Sequence, residues 1–270
     1  MEKKKIALLD TDFIFKTHIS QSVADHLIDQ VLLLPGYAFF CHSQIVVELG
    51  RHTPDALQWL QNKIQNQVVH CYTDEMILDK LERVYGSACC NWYAQFLKEA
   101  CDAFGDDHFP NYYYALQNLD YANISKTAFL NELVAADEHV GRQNSLGEIK
   151  TYVLLQTLDI LNGEHIYMFC SDDQKARIGI TQFNNVRCIS VLSAFLKLKN
   201  EIGLTKELSE PYRRSWLAFC TAHKQTTFKV LVANENRRFC RIPCAQVLDE
   251  IYEDKFVALG DGFLKYKSTT

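Results

Sequence analysis

Proline and glycine are scarce, 5 and 11 of 270 residues, and no stretch of the chain reads as disordered, low-complexity or internally repeated. No apolar run approaches the roughly 20 residues that a membrane-spanning helix needs. The opening MEKKKIALLDTD has a basic head, but its apolar stretch stops at Asp10, too soon for a secretory h-region. The chain therefore reads as cytoplasmic, with no membrane partner. Zinc-site spacing is also lacking: there is no pair of Cys-x-x-Cys motifs, and the 9 histidines do not cluster. The 10 cysteines scatter over Cys41, Cys71, Cys89, Cys90, Cys101, Cys170, Cys188, Cys220, Cys240 and Cys244 and read as reduced, mostly buried thiols. Only Cys240 and Cys244 are spaced in a way worth checking for metal. Excess positive charge is absent as well. The formal net charge is −5: residues 1–200 hold 17 basic against 24 acidic side chains, and residues 201–270 hold 11 against 9. Such a protein does not attract nucleic acid globally, so binding has to be local or bridged by metal ions between carboxylates and phosphate.

What is present is an ordinary globular composition, 48% apolar and 23% charged, in a length that allows one large domain or a domain with an appendage. Its most informative stretch is Ile166 to Arg177, IYMFCSDDQKAR. An apolar run there ends in two adjacent carboxylates, Asp172 and Asp173, followed by a helical pattern. The amino terminus repeats the outline, with Ile6 to Leu9 running into Asp10-Thr11-Asp12. Short apolar runs suit parallel strands covered on both faces, and ligands in open α/β sheets bind just beyond such strand ends. Two strands ending in acids suggest one shared site.

The first strand should feed a helix from about Ser20 to Leu34, where Val23, Leu27, Ile28, Val31 and Leu32 recur at helical spacing before Pro35-Gly36. Tyr37 to Cys41 reads as a second strand. Ser43 can cap the helix that carries Glu48, a carboxylate flanked by Ile45, Val46, Val47 and Leu49. A helix over Pro54 to Gln65 and a strand over Val68 to Tyr72 follow. From about 74 to 143 the strand signal vanishes in favour of an aromatic-rich helical insertion. It either fills its own small core or offers tyrosines for base stacking. Ser145 and Glu148 make a capping box for the next helix, in which Glu148 could also face the strand ends. Ser171 with Gln174 could form another capping box ahead of a helix containing Ala176 and Ile180. Val186 to Val191 is the fifth strand and Ser193 to Glu201 the last helix of the layer. This order predicts an α/β fold with a parallel, doubly wound sheet of about five strands.

The charge shift and Pro211 mark a boundary near residue 203, giving a principal domain over 1–203 and a small α+β appendage over 204–270. In the appendage, Pro211 to Ala222 and Pro243 to Tyr252 read as helices. Thr227 to Ala233 and Phe239 to Ile242 read as a hairpin around Asn234 to Arg237, and Phe256 to Leu259 as a further strand. Arg213, Arg214, Arg237, Arg238, Arg241, Lys265 and Lys267 could form a basic face or simply a solvated surface.

Four acidic stations thus stand out: Asp10 with Asp12, Glu48, Glu148, and Asp173 with Asp172. In their order and their strand and helix settings they resemble a PIN domain, a metal-dependent ribonuclease fold found in bacterial toxins and RNA-processing nucleases. SDDQKAR, Ser171 to Arg177, is close to the Asp-Asp-x-x-Ala-Arg signature of one branch. The likeness covers roughly 4–203 without the insertion and says nothing about 204–270. The insertion and the gap from Glu148 to Asp173 are longer than a minimal PIN domain needs, and the family often has Asn or Ser where this chain has Asp12. The resemblance implies a divalent-metal-dependent ribonuclease, an endoribonuclease, acting on single-stranded or structured RNA. Mg2+ or Mn2+ would be held by Asp10, Glu48, Glu148 and Asp173, with Asp12 and Asp172 as further candidates and Thr11 and Ser171 orienting ligands or phosphate. A protein partner such as an antitoxin, and oligomerisation, also belong to that picture.

Two other readings compete. Asp10-Thr11-Asp12 also resembles the nucleophile loop of haloacid-dehalogenase-like phosphatases, with Asp10 attacking phosphate, Asp12 as general acid, and Asp172 and Asp173 as Mg2+ acids. That leaves Glu48 and Glu148 without a role. The third reading is a non-catalytic PIN scaffold that binds RNA or protein.

Overall fold

The computed structural model describes residues 4–104, 108–140, 146–162, 166–183, 186–233 and 238–268. In chain order the elements are β1 (Lys5–Leu9), α1 (Thr11–Ile19), α2 (Leu27–Leu32), β2 (Tyr37–His42), α3 (Ser43–His52), α4 (Pro54–Gln65), β3 (Val69–Tyr72), α5 (Asp74–Tyr85), α6 (Cys89–Phe104), α7 (His108–Tyr112), α8 (Tyr114–Gln117), α9 (Lys126–Val140) and α10 (Leu146–Asn162). There follow β4 (Ile166–Cys170), α11 (Gln174–Phe183), β5 (Arg187–Ile189), α12 (Val191–Ile202), α13 (Lys206–Ala222), β6 (Thr227–Leu231), β7 (Phe239–Pro243), α14 (Cys244–Tyr252), β8 (Phe256–Ala258) and β9 (Leu264–Tyr266). The fold is α/β, with a five-stranded, all-parallel sheet of order β3-β2-β1-β4-β5 flanked by helices. β1 is apolar and sealed: Ile6, Ala7, Leu8 and Leu9 are at most 2% exposed, as expected of a parallel strand covered on both faces. Four further strands form a second sheet, β7-β6-β9-β8.

The chain divides into two compact units. One comprises Lys5–Thr11 and Ala38–Tyr167, the other Asp12–Tyr37 and Met168–Thr270. In the first, β2 and β3 pair in register, Cys41 opposite Cys71, and α10 packs against α6, α5 and α3. The insertion has its own core of Tyr93, Phe96, Leu97, Cys101, Tyr113, Leu116, Phe129 and Leu133, all buried. In the second, β4 pairs with β5, Phe169 opposite Cys188, and α14 packs against α12 and α13. All 10 cysteines are free and 8 are buried. Cys240 and Cys244 bond separately, to the carbonyls of Val230 and Gln225.

Several expected elements are redrawn. The helix expected over Ser20 to Leu34 shrinks to α2, and a separate helix precedes it, because α1 starts directly at Thr11 and buries Phe13, Ile14 and Thr17. A turn closed by Ser22 and Asp25 then leaves Val23 fully exposed. Ser43 is the first residue of α3 and His42 is its cap, Nδ1 accepting from the Gln44 amide at 3.1 Å. α13 begins at Lys206 under a Thr205 cap, so Pro211 lies inside the helix rather than opening it. β9 had no counterpart in the sequence reading. Arg213 leaves the expected basic face: it is 5% exposed and paired with Asp249 and Glu210. Ser145 and the turn Asn234 to Arg237 lie outside the described residues.

Candidate functional site

In the first unit the best-defined carboxylate is that of Glu48. Asp10, at the carboxyl end of β1, is 2% exposed. The next residue, Thr11, donates its hydroxyl proton to Glu48 Oε2 at 2.6 Å. Glu48 sits one turn after Gln44, whose amide reaches Oε1 at 3.5 Å. Ile45 and Leu49 on the same helix are fully buried, so the helix drives its apolar face into the core and sets Glu48 at the margin of that face. The carboxylate also lies against Gly147 in the first turn of α10: a Cβ built there would stand 2.5 Å from Oε2 and 2.8 Å from Oε1. Only glycine admits that approach. Early helical turns carry amides without intrahelical partners and favour negative charge. Glu148, next along, is half-buried. Two residues remote in sequence, Thr11 and Gly147, thus meet the Glu48 carboxylate.

The acids of the second unit are engaged differently. Lys16, on α1, bonds Asp12 Oδ2 and Asp172 Oδ2, each at 2.7 Å. Burial disfavours the ammonium, but Asp172 and Asp12 outweigh it and hold Lys16 above the ordinary lysine range. Burial raises the Asp12 carboxyl above the ordinary aspartate range against the pull of Lys16, with Asp172 and Asp173 adding to the rise. Asp172 Oδ1 accepts the Val191 amide at the start of α12, at 3.1 Å. Asp173 is exposed and caps α11, its Oδ1 accepting from the amides of Lys175 at 2.6 Å and Ala176 at 3.0 Å. The cap is therefore Asp173 and not the expected Ser171–Gln174 box. Ser171 is fully buried and its Oγ accepts from the Asp173 amide. Arg177, last in the SDDQKAR string, donates to the carbonyls of Ser171 at 3.0 Å and Asp261 at 2.9 Å.

Sequence reasoning passed over Lys16, although its spacing from Asp12 is that of a helical ion pair. It also missed a buried network in the first unit. Lys150 on α10 is 1% exposed, and its ammonium meets Asp74 at 3.2 Å and Asp137 at 2.8 Å. Burial opposes its charge, but the two carboxylates raise it above the usual range. Asp74 also accepts from His42 Nε2 at 3.1 Å and from the Tyr93 hydroxyl. Burial works against that carboxylate, and Lys150, His42 and Tyr93 together hold it well below the ordinary range. A lysine between Ile149 and Tyr152 in an apolar stretch was the available signal.

Carboxylate oxygens are hard donors suited to Mg2+ or Mn2+, so the chemistry of Asp10, Glu48 and Glu148 fits such an ion. Among the described residues, no three His, Cys, Asp or Glu side chains form a group that could hold a metal ion. No family model, curated protein or solved structure matches the chain.

Proposed function

We propose that this chain is a PIN-like, divalent-metal-dependent ribonuclease that hydrolyses phosphodiester bonds of RNA, with Asp10, Glu48 and Glu148 as its principal metal-binding acids. The observation that carries the reading is the position of the Glu48 carboxylate, bonded to Thr11 beside Asp10 and pressed against Gly147 beside Glu148. A structural glutamate on a helix margin does not require a glycine cradle from a distant helix. Thr11 fixes the orientation of the carboxylate. Gly147 keeps the space in front of it clear, and Asp10 and Glu148 supply further hard oxygens from the neighbouring positions. A Mg2+ or Mn2+ ion bound there supplies charge neutralisation at the phosphoryl oxygens and an activated water. Asp12 and Asp172 have Lys16 as counter-charge.

The test is cleavage of single-stranded and structured RNA with Mn2+, wild type beside Asp10→Asn. Metal-dependent cleavage by wild type, reduced at least a hundredfold in the variant, is expected. Equal activity in both would remove the site. Turnover of small phosphomonoesters without RNA cleavage would move the chain to the phosphatase reading.

A further inference from the structure

Besides the acids themselves, the first unit contains a bonded path between the two helices that present them. His42 closes β2 and caps α3, the helix of Glu48. Because its Nδ1 accepts the Gln44 amide proton, its ring proton is on Nε2, which points at Asp74 Oδ1, 3.1 Å away. Asp74, the first residue of α5, is met from the other side by Lys150. That lysine lies on α10, the helix of Gly147 and Glu148. Asp137 on α9 completes the counter-charge at 2.8 Å and also accepts the Tyr113 hydroxyl at 2.8 Å. His42, Tyr93, Tyr113 and Lys150 are each at most 1% exposed. A buried ion network of this kind is weak evidence of stability for its own sake, since apolar side chains often serve a core as well. Its geometry is specific, however: each bond has one direction and one length, and the two ends of the path are the helices whose approach sets the Glu48–Gly147 contact.

We propose that the His42–Asp74–Lys150 path is a positioning device that holds α3 against α10 at the separation metal binding requires. The idea rests on the metal site proposed above. None of its residues touches the ion or the substrate. Cutting the path should loosen the acids without removing any of them.

The experiment uses the full chain and free Mn2+, titrated by electron paramagnetic resonance well below the unfolding temperature of each variant. His42→Asn keeps an acceptor able to cap α3 but does not reach Asp74. Asp74→Asn keeps the shape and removes the charge. Tyr93→Phe keeps the ring and loses one bond to Asp74, and is the mildest of the three. Mn2+ binding at least tenfold weaker in the first two, and about two- to fivefold weaker in the third, is expected with the fold retained. Wild-type binding matched by every folded variant overturns the positioning role and leaves the metal site standing. Absence of Mn2+ binding by wild type overturns both. In the wild-type protein, 15N resonances of His42 should report the Nε2–H tautomer; the Nδ1–H tautomer would break the path whatever the variants do.

Discussion

Gly147 and Glu48 approach so closely that a side chain of any size on the first would collide with both carboxylate oxygens of the second, the nearer at 2.5 Å. Gly147→Ala should therefore displace the Glu48 carboxylate and break its bond to Thr11. A cost of about 1–3 kcal/mol is expected for overpacking; the metal site proposed above further predicts that Mn2+ raises the melting temperature of wild type and that the variant loses that rise. A calorimetric scan with and without Mn2+ measures both. An alanine variant that keeps the full metal-induced rise would show that the contact has no part in binding.

Asp173 accepts two amides at the start of α11, which gives its own prediction. Asparagine caps a helix about as well as aspartate, whereas alanine loses the bond at a typical cost of about 1 kcal/mol. Asp173→Ala should be less stable by that amount in urea titrations and Asp173→Asn nearly unchanged. Equal losses would mean that charge, not capping, ties this residue to the fold.

Removing the ammonium of Lys16 sets two partly buried carboxylates, Asp12 and Asp172, against each other without relief. Lys16→Met should be destabilised by more than the ~1 kcal/mol upper value of an exposed pair. The deficit should shrink with acidification. An aspartate whose carboxyl is raised in the folded state takes up its proton there before it does so unfolded, so falling pH favours the fold, and Asp12 is already raised in wild type. Unfolding at pH 7 and pH 4.5 decides the matter, and a deficit of the same size at both would be the wrong result.

The Asp74–Lys150 pair predicts opposite limbs of a stability profile. Asp74 is held below the ordinary carboxylate range. Its contribution is thus present above about pH 3.9 and is lost progressively as pH falls further. Lys150 is held above the ordinary lysine range, so its contribution is full at neutral pH and is lost only as pH rises past the usual lysine value. Lys150→Met should cost about 3–5 kcal/mol, because it strands a buried charge. Adding Asp74→Asn should recover part of that cost, and no recovery would show that the two groups are uncoupled.

The sheet strands were legible where burial on both faces leaves an uninterrupted apolar run, as in Ile6 to Leu9 and Met168 to Cys170. β9 was not, since Leu264, Lys265 and Tyr266 form a short segment whose strand character comes from pairing with β8. Helix starts were less legible than helix bodies. His42 and Asp173 displaced the expected serine caps because a cap is chosen by the geometry of the preceding strand end, which one sequence does not display. Of the acidic stations, the resemblance singled out Glu48 and the Gly147-Glu148 helix start, but not the contacts that Glu48 makes with Thr11 and Gly147. The neutralisation of Asp12 and Asp172 by Lys16 was a local pattern left unread, and the Lys150 network depends on three helices meeting, which spacing cannot encode.

Arg177 fastens the carbonyl of Ser171 to that of Asp261. Nearby, the Cys188 amide bonds the Gly260 carbonyl at 2.7 Å and the Ser190 hydroxyl bonds that of Gly262 at 3.0 Å. The segment around Gly262 thus serves as a brace for the loop after β4. Shortening the protein to residues 1–203 would not yield a smaller working copy. It would pull out a strut on which the Asp172–Asp173 turn leans, and a fragment made that way should be judged as a damaged molecule rather than as a minimal one.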